Sequence, residues 1–216
     1  TRYHCVTGVQ TCALPILPTA ALGVLPSVIG PFHQQQKEVT LQVATMNNTM
    51  LLAALKSGDI DLGIGRMSDP ELMTGLNYEL LFLESLKLVV RPDHPLLQDN
   101  ITLSRVLEWP VVVSPKGTVP RQNAETLLQN QGCKMPAGCI ETLSASLSRQ
   151  LTVDYNYIWF VPSGAVKDDL RRGILTALPI GTQGQGEPIG ILTRVDTPLS
   201  AGAQILLSAV RKSMPS

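Results

Sequence analysis

The sequence predicts an α/β fold in two parts, and three observations carry that reading. Strand and helix patterns alternate from one end to the other, the signature of sheets covered by helices. A proline-rich break at residues 91–95 interrupts the pattern, and it then begins again with different residues. A glycine-rich loop at residues 181–186 offers a second place for the chain to cross. The alternation implies parallel sheets. With 44% apolar and only 16% charged residues in 216, the chain can bury the cores that two such parts require.

Leu22, Leu25, Ile29 and Phe32 recur at helical spacing, with Pro26 predicting an irregular first turn. Val39, Leu41 and Val43 alternate with polar residues as a half-buried strand. Asn48 is placed to cap a helix carrying Leu51, Leu52 and Leu55, and Gly58 stops it. Ile60, Leu62 and Ile64 supply another strand. A long apolar run at residues 80–90 ends at the proline-rich break, which cannot continue a ladder.

Beyond the break, Thr102 caps a short helix with Leu103, Val106 and Leu107, and residues 111–113 read as a buried strand. Residues 120–131 form a helix with Ala124, Leu127 and Leu128 inward and Gly132 as its stop. Cys139 and Ile140 make a short strand, and Ser144 opens a helix holding Leu147 and Leu151. Residues 157–161 form a strand, Ser163 caps a helix with Val166 and Leu170, and residues 188–193 form the last strand. The final helix places Ala203, Leu206, Leu207 and Val210 on one face.

Charge and cysteine usage exclude several function classes. Seventeen basic residues balance seventeen acidic ones, which argues against a phosphate-binding surface. No apolar run reaches the ~18 residues needed to cross a bilayer, so no membrane role is expected. Four cysteines without a C-x-x-C pair do not make a disulfide scaffold. Cys133 and Cys139 read as free thiols rather than a metal pair, and no metal or cofactor is expected.

Enzyme patterns are equally thin. Gly63 and Gly65 follow a strand, but Ser68 stands where a dinucleotide fingerprint needs its third glycine, and Pro70 blocks an immediate helix. No phosphate-cradling glycine-lysine loop occurs, and neither His33 nor His94 has a nucleophile beside it in sequence. Asp59 and Asp61 read as solvated charges in a turn.

Four segments are expected to bring polar groups to a shared crevice: Thr19; Asn47, Asn48 and Thr49; Ser114, Thr118 and Arg121; and Thr142 with Ser144. Each sits just before or at a predicted helix start, where unpaired N–H groups and the helix dipole favour an anion. Any of these residues serves equally well as a cap of its own helix. Arg121 is the sharpest candidate to grip a carboxylate, since a guanidinium can bind it through two parallel hydrogen bonds. Its alternative is a solvated arginine. Trp159 and Phe160 are candidates to wall an aromatic ligand, with one of the two reserved for the core.

Several stretches, in order, resemble one family. Leu17-Pro18-Thr19-Ala20 looks like the start of its first helix, and Leu55-Lys56-Ser57-Gly58-Asp59-Ile60-Asp61-Leu62-Gly63-Ile64-Gly65-Arg66 is similar to its helix-turn-strand signature. Arg91-Pro92-Asp93-His94-Pro95-Leu96 is similar to its crossover, and Trp159-Phe160-Val161-Pro162 to its late strand-to-helix turn. Over residues 17–212 the chain resembles the effector-binding domain of LysR-type transcriptional regulators. Ser114-Pro115-Lys116-Gly117-Thr118 and Glu141-Thr142-Leu143-Ser144 look most like regulators of aromatic-acid catabolism, of the protocatechuate type.

The resemblance implies a periplasmic-binding-protein-like fold: two Rossmann-like lobes joined by two crossover segments. Lobe I is expected at residues 17–90 and 188–216, lobe II at 91–187. It also implies a small-molecule effector, expected to be an organic acid, and a homo-oligomer, dimer or tetramer, for the full-length regulator. DNA is then read only through an N-terminal helix-turn-helix domain expected to be missing from this chain, and the expected compartment is the cytoplasm. A transporter's solute-binding protein and a small two-lobe enzyme are the alternatives. An upstream helix-turn-helix, an export signal or a direct start distinguishes the three.

The first sixteen residues stand apart. Thr1 to Ile16 resembles the in-frame translation of a sequencing-library adapter, holds Cys5 and Cys12, and shares no periodicity with the rest of the chain. Setting it aside removes Arg2 and no acid, so the charge balance survives. Whether Ala13, Leu14 and Ile16 take the place of a lost first strand or the segment hangs loose is left open by the sequence, and reduced stability is expected.

Overall fold

The computed structural model describes residues 11–182 and 186–213. The chain forms two compact units, one running to Leu83 and resuming at Glu187, the other running from Glu84 to Gly186. The first unit holds β1 (Thr11–Ile16), α1 (Pro18–Gln35), β2 (Thr40–Thr45), α2 (Asn48–Ser57), β3 (Leu62–Arg66), the single turn α3 (Pro70–Met73) and β4 (Leu76–Glu84). The second holds β5 (Leu86–Val90), α4 (Leu103–Val106), β6 (Val111–Val113), α5 (Val119–Asn130), β7 (Ile140–Glu141), α6 (Ala145–Tyr155), β8 (Ile158–Pro162), α7 (Ser163–Arg171) and β9 (Thr176–Ala177). β10 (Glu187–Arg194) and α8 (Ala201–Ser213) return to the first unit.

Each unit is built on a five-stranded sheet, in the orders β2-β1-β3-β10-β4 and β7-β6-β8-β5-β9. The sheets are mixed, not purely parallel as the alternation implied. β1 runs parallel to β2 and β3, and β6 parallel to β7 and β8. β10 pairs antiparallel with β3, and β5 antiparallel with β8 and β9.

The first crossing lies between Leu83 and Glu84 rather than after Val90, because the apolar run 80–90 divides between the sheets: β5 pairs with β8 and β9. The return falls between Gly186 and Glu187, one residue ahead of the expected position. Part of the glycine-rich loop, residues 183–185, lies outside the described residues, as do His4 and Cys5.

Strand periodicity sorts the second sheet cleanly. Val111, Val113, Ile158, Phe160, Leu88 and Val90 enter one core with Ala124, Leu127 and Leu128 of α5. Their neighbours Val112, Trp159, Val161 and Val89 enter the other, with Val166 and Leu175. Successive residues of a strand point to opposite faces, so an unbroken apolar run is what a sheet covered on both sides requires.

In the first unit, Leu14, Ile16, Leu62 and Ile64 pack with α1 and α8. The opposite face of β3 is glycine, which lets α2 approach. A Cβ on Gly63 would meet the Leu51 side chain at 3.0 Å. That close packing, and no phosphate loop, accounts for the Gly63-x-Gly65 spacing.

Two local expectations change, and one open point is settled. The buried stripe of α1 is Ala20, Val24, Leu25, Val28 and Phe32, while Leu22 is 49% exposed. Pro26 and Pro31 sit on the exposed side of an unbroken helix, and the Ser27 carbonyl, which Pro31 cannot pair, accepts from Ser213 Oγ at 3.1 Å. The segment set aside as adapter-like supplies the strand between β2 and β3, with Leu14 and Ile16 fully buried.

Candidate functional site

Both units place their candidate residues by the same rule. β1 lies between β2 and β3, and β6 between β7 and β8, so the chain leaves each middle strand toward one side and later returns on the other. Loops at the carboxyl ends of strands around such a reversal gather helix starts.

In the first unit, three loop segments meet there. Met46 donates its N–H to the Ile16 carbonyl at 3.2 Å, and Leu17 donates to the Ile64 carbonyl at 3.2 Å. Asn47, not Asn48, is the cap of α2: its side chain accepts from the Met50 N–H at 2.9 Å. Asn48 instead ties α2 to the end of β3. Its Oδ1 accepts from the Arg66 N–H at 2.9 Å, and its Nδ2 donates to the Arg66 carbonyl at 3.1 Å and to Ser68 Oγ at 3.2 Å. Thr19 is half-buried in the first turn of α1, behind Pro18, and Thr49 is exposed in the first turn of α2.

The second unit repeats the plan. Thr118 caps α5, accepting from the Arg121 N–H at 3.4 Å and donating to the Pro115 carbonyl at 2.7 Å. Thr142 donates its N–H to the Val113 carbonyl at 3.0 Å, and its Oγ1 accepts from the Ser144 N–H at 3.0 Å. Ser144 caps α6, accepting from the Leu147 N–H at 3.3 Å. Four N–H groups open every helix without an intrahelical partner, and each cap satisfies one. Pro120 in the first turn of α5 removes another donor, so α2 and α6 offer the better anion seats.

Arg121 is not the open clamp that the sequence suggested. Its side chain is 4% exposed and already held by two carboxylates. Nε donates to Glu125 Oε1 and Nη1 to Glu141 Oε1, both at 2.7 Å, and Nη1 also reaches the Ser114 carbonyl at 3.5 Å. Burial opposes its charge, but the hydrogen bonds to Glu125 and Glu141 outweigh burial and raise its pKa. The hydrogen bond from Arg121, with Lys116 adding to it, holds the Glu141 carboxyl below its ordinary range. Phe160 is 1% exposed and part of the core, so it offers no wall to a ligand. Trp159 is buried on the opposite face, so both aromatics are core.

Sequence reasoning missed Ser68, Lys116 and Glu141. Ser68 was weighed only as a failed glycine position, and its place just past a central strand was the available signal. Glu141 stands twenty residues from Arg121, and nothing local joins them. Ser163, expected as a cap, is the first residue of α7. Its N–H donates to the Ser85 carbonyl at 2.7 Å, and its Oγ accepts from the Ser85 N–H at 3.3 Å.

The chain thus joins two mixed α/β units, each with helix starts gathered past an interior strand. Residues 10–215 match the family described as LysR substrate binding domain, and the chain belongs to that family. The chain is 77% identical over 199 residues to the HTH-type transcriptional regulator YdcI of Escherichia coli K12, covering 92% of this chain and 65% of the relative. It is 31% identical over 198 residues to the HTH-type transcriptional regulator PcaQ of Agrobacterium fabrum, covering 91% and 64%. It thus spans about two thirds of the length of the regulators it matches. In fold it resembles the BenM effector-binding domain solved with its effector benzoate, at a TM-score of 0.67 and 22% identity over 94% of this chain and 91% of that one. Among the described residues no helix is long and apolar enough to cross a membrane.

Proposed function

We propose that this chain senses a small organic acid on behalf of a transcriptional regulator, binding it without chemical change. The observation that supports this reading recurs in each unit by itself: a capped helix start, Asn47 on α2 in the first and Ser144 on α6 in the second, just past a strand that flanks an interior strand. Their remaining first-turn N–H groups suit a carboxylate, and the helix dipole adds to the attraction. Thr19 and Thr49 add polar groups beside the helix starts of the first unit, and Thr118 and Thr142 beside those of the second. The BenM domain with benzoate supplies a precedent for an acid ligand on this fold. The intact regulator would work in the cytoplasm as a homo-oligomer, contacting DNA through an N-terminal helix-turn-helix.

A reporter placed under the intact regulator tests the reading. A panel of organic acids that includes benzoate should contain one that shifts output. Asn47→Ala and Ser144→Ala should each raise the concentration needed by about tenfold, the equivalent of ~1.4 kcal/mol. A response to neutral metabolites alone, or one indifferent to both variants, would overturn it.

A further inference from the structure

We propose that the Arg121–Glu141 ion pair is an exchangeable carboxylate seat: Glu141 is its internal occupant, and a ligand carboxylate competes for the same face of the guanidinium. The inference rests on the functional reading above and adds to it a competitor built into the chain.

A guanidinium buried to this depth must keep a counter-ion. Glu125 lies on the same helix, one turn along, and moves with Arg121. Glu141 does not. It sits on β7, a two-residue strand at the edge of its sheet, and its side chain is 34% exposed. The carboxylate at Nη1 is therefore the one that can leave into water while Arg121 stays in place.

What Glu141 holds gives the exchange a consequence. It is followed directly by Thr142, whose Oγ1 accepts from the Ser144 N–H, and Ser144 caps α6. The ion pair ties this connection to α5. An incoming carboxylate at Nη1 would satisfy the arginine and free the Glu141 side chain, removing the tie between this connection and α5 while β7 stays paired with β6 through Glu141 and the Thr142 N–H.

Chemical rescue tests the seat directly, with acetate as the probe. Glu141→Ala should lower the Tm of the chain by about 2–4 °C. Acetate should recover most of that loss, and chloride at equal ionic strength should not. Wild type should need far more acetate, since Glu141 competes, and Glu141→Ala combined with Arg121→Lys should lose most of the rescue, because an ammonium cannot reproduce the fork. Glu141→Gln, which keeps the shape without the charge, should fall between wild type and Glu141→Ala in the acetate it needs. No rescue beyond chloride, equal acetate midpoints in wild type and Glu141→Ala, or undiminished rescue in the double variant would each overturn the proposal. Those outcomes would leave the reporter result untouched, so the two readings fail separately.

Discussion

Asn48 makes three hydrogen bonds to the end of β3 and spends its side chain on the fold, while the neighbouring Asn47 serves as the cap. Removing it takes away the hydrogen bonds that Asn48 makes to the buried N–H and carbonyl of Arg66, so Asn48→Ala should cost about 1–3 kcal/mol in urea unfolding. Gly65→Ala should act on the same contact, since the added Cβ would stand 2.8 Å from both Asn48 Oδ1 and Leu192 Cδ1. A second residue sets a pH dependence. His94 is fully buried, its ring edge-on to Trp109. Its Nδ1 accepts from the Leu96 N–H at 3.1 Å, leaving Nε2–H to donate to the Asn156 carbonyl at 3.2 Å.

Burial lowers the His94 pKa below its ordinary 6.5, against the Asn156 bond that raises it, with Arg91 lowering it and Asp93 raising it less. The unfolded chain therefore takes up this proton first as pH falls. Between 6.5 and the lower folded value the unfolded state binds more protons, so stability drops with pH across that window. A series of melts from neutral to mildly acidic pH should show this loss. The loss should flatten in His94→Gln, and an unchanged slope would contradict it.

At the scale of elements, the strand Thr11–Ile16 carries the sharpest expectation. Leu14 is fully buried in the middle of the first sheet, whereas Val43 on the edge strand is 39% exposed. Leu14→Ala should cost about 2–5 kcal/mol and Val43→Ala well under half of that. Equal small losses would mean that this segment does not pack as β1. The elements themselves were largely legible, because short apolar runs such as residues 158–161 and caps such as Thr102, Thr118 and Ser144 are local signals. The division of residues 80–90 was not. Both β4 and β5 are rich in apolar residues, and which sheet each joins is decided by partners far along the chain.

For the whole molecule, two sheets with separate cores give a frame whose helix starts were readable from Asn, Ser and Thr before apolar runs. The electrostatics were not readable, because the partner that neutralises Arg121 lies on another element. The near-zero net charge fits a domain that binds a small ligand rather than a phosphate backbone.

The start of α2 in the first unit and the start of α6 in the second are each where a carboxylate should find a seat. Calorimetric titration of the purified chain with the acid panel, repeated on Asn47→Ala and Ser144→Ala, puts that to the test without DNA or a reporter. We expect saturable binding of at least one acid to the wild-type chain, weakened in both variants. Binding that survives intact in both variants, or no heat from any acid at all, would contradict it.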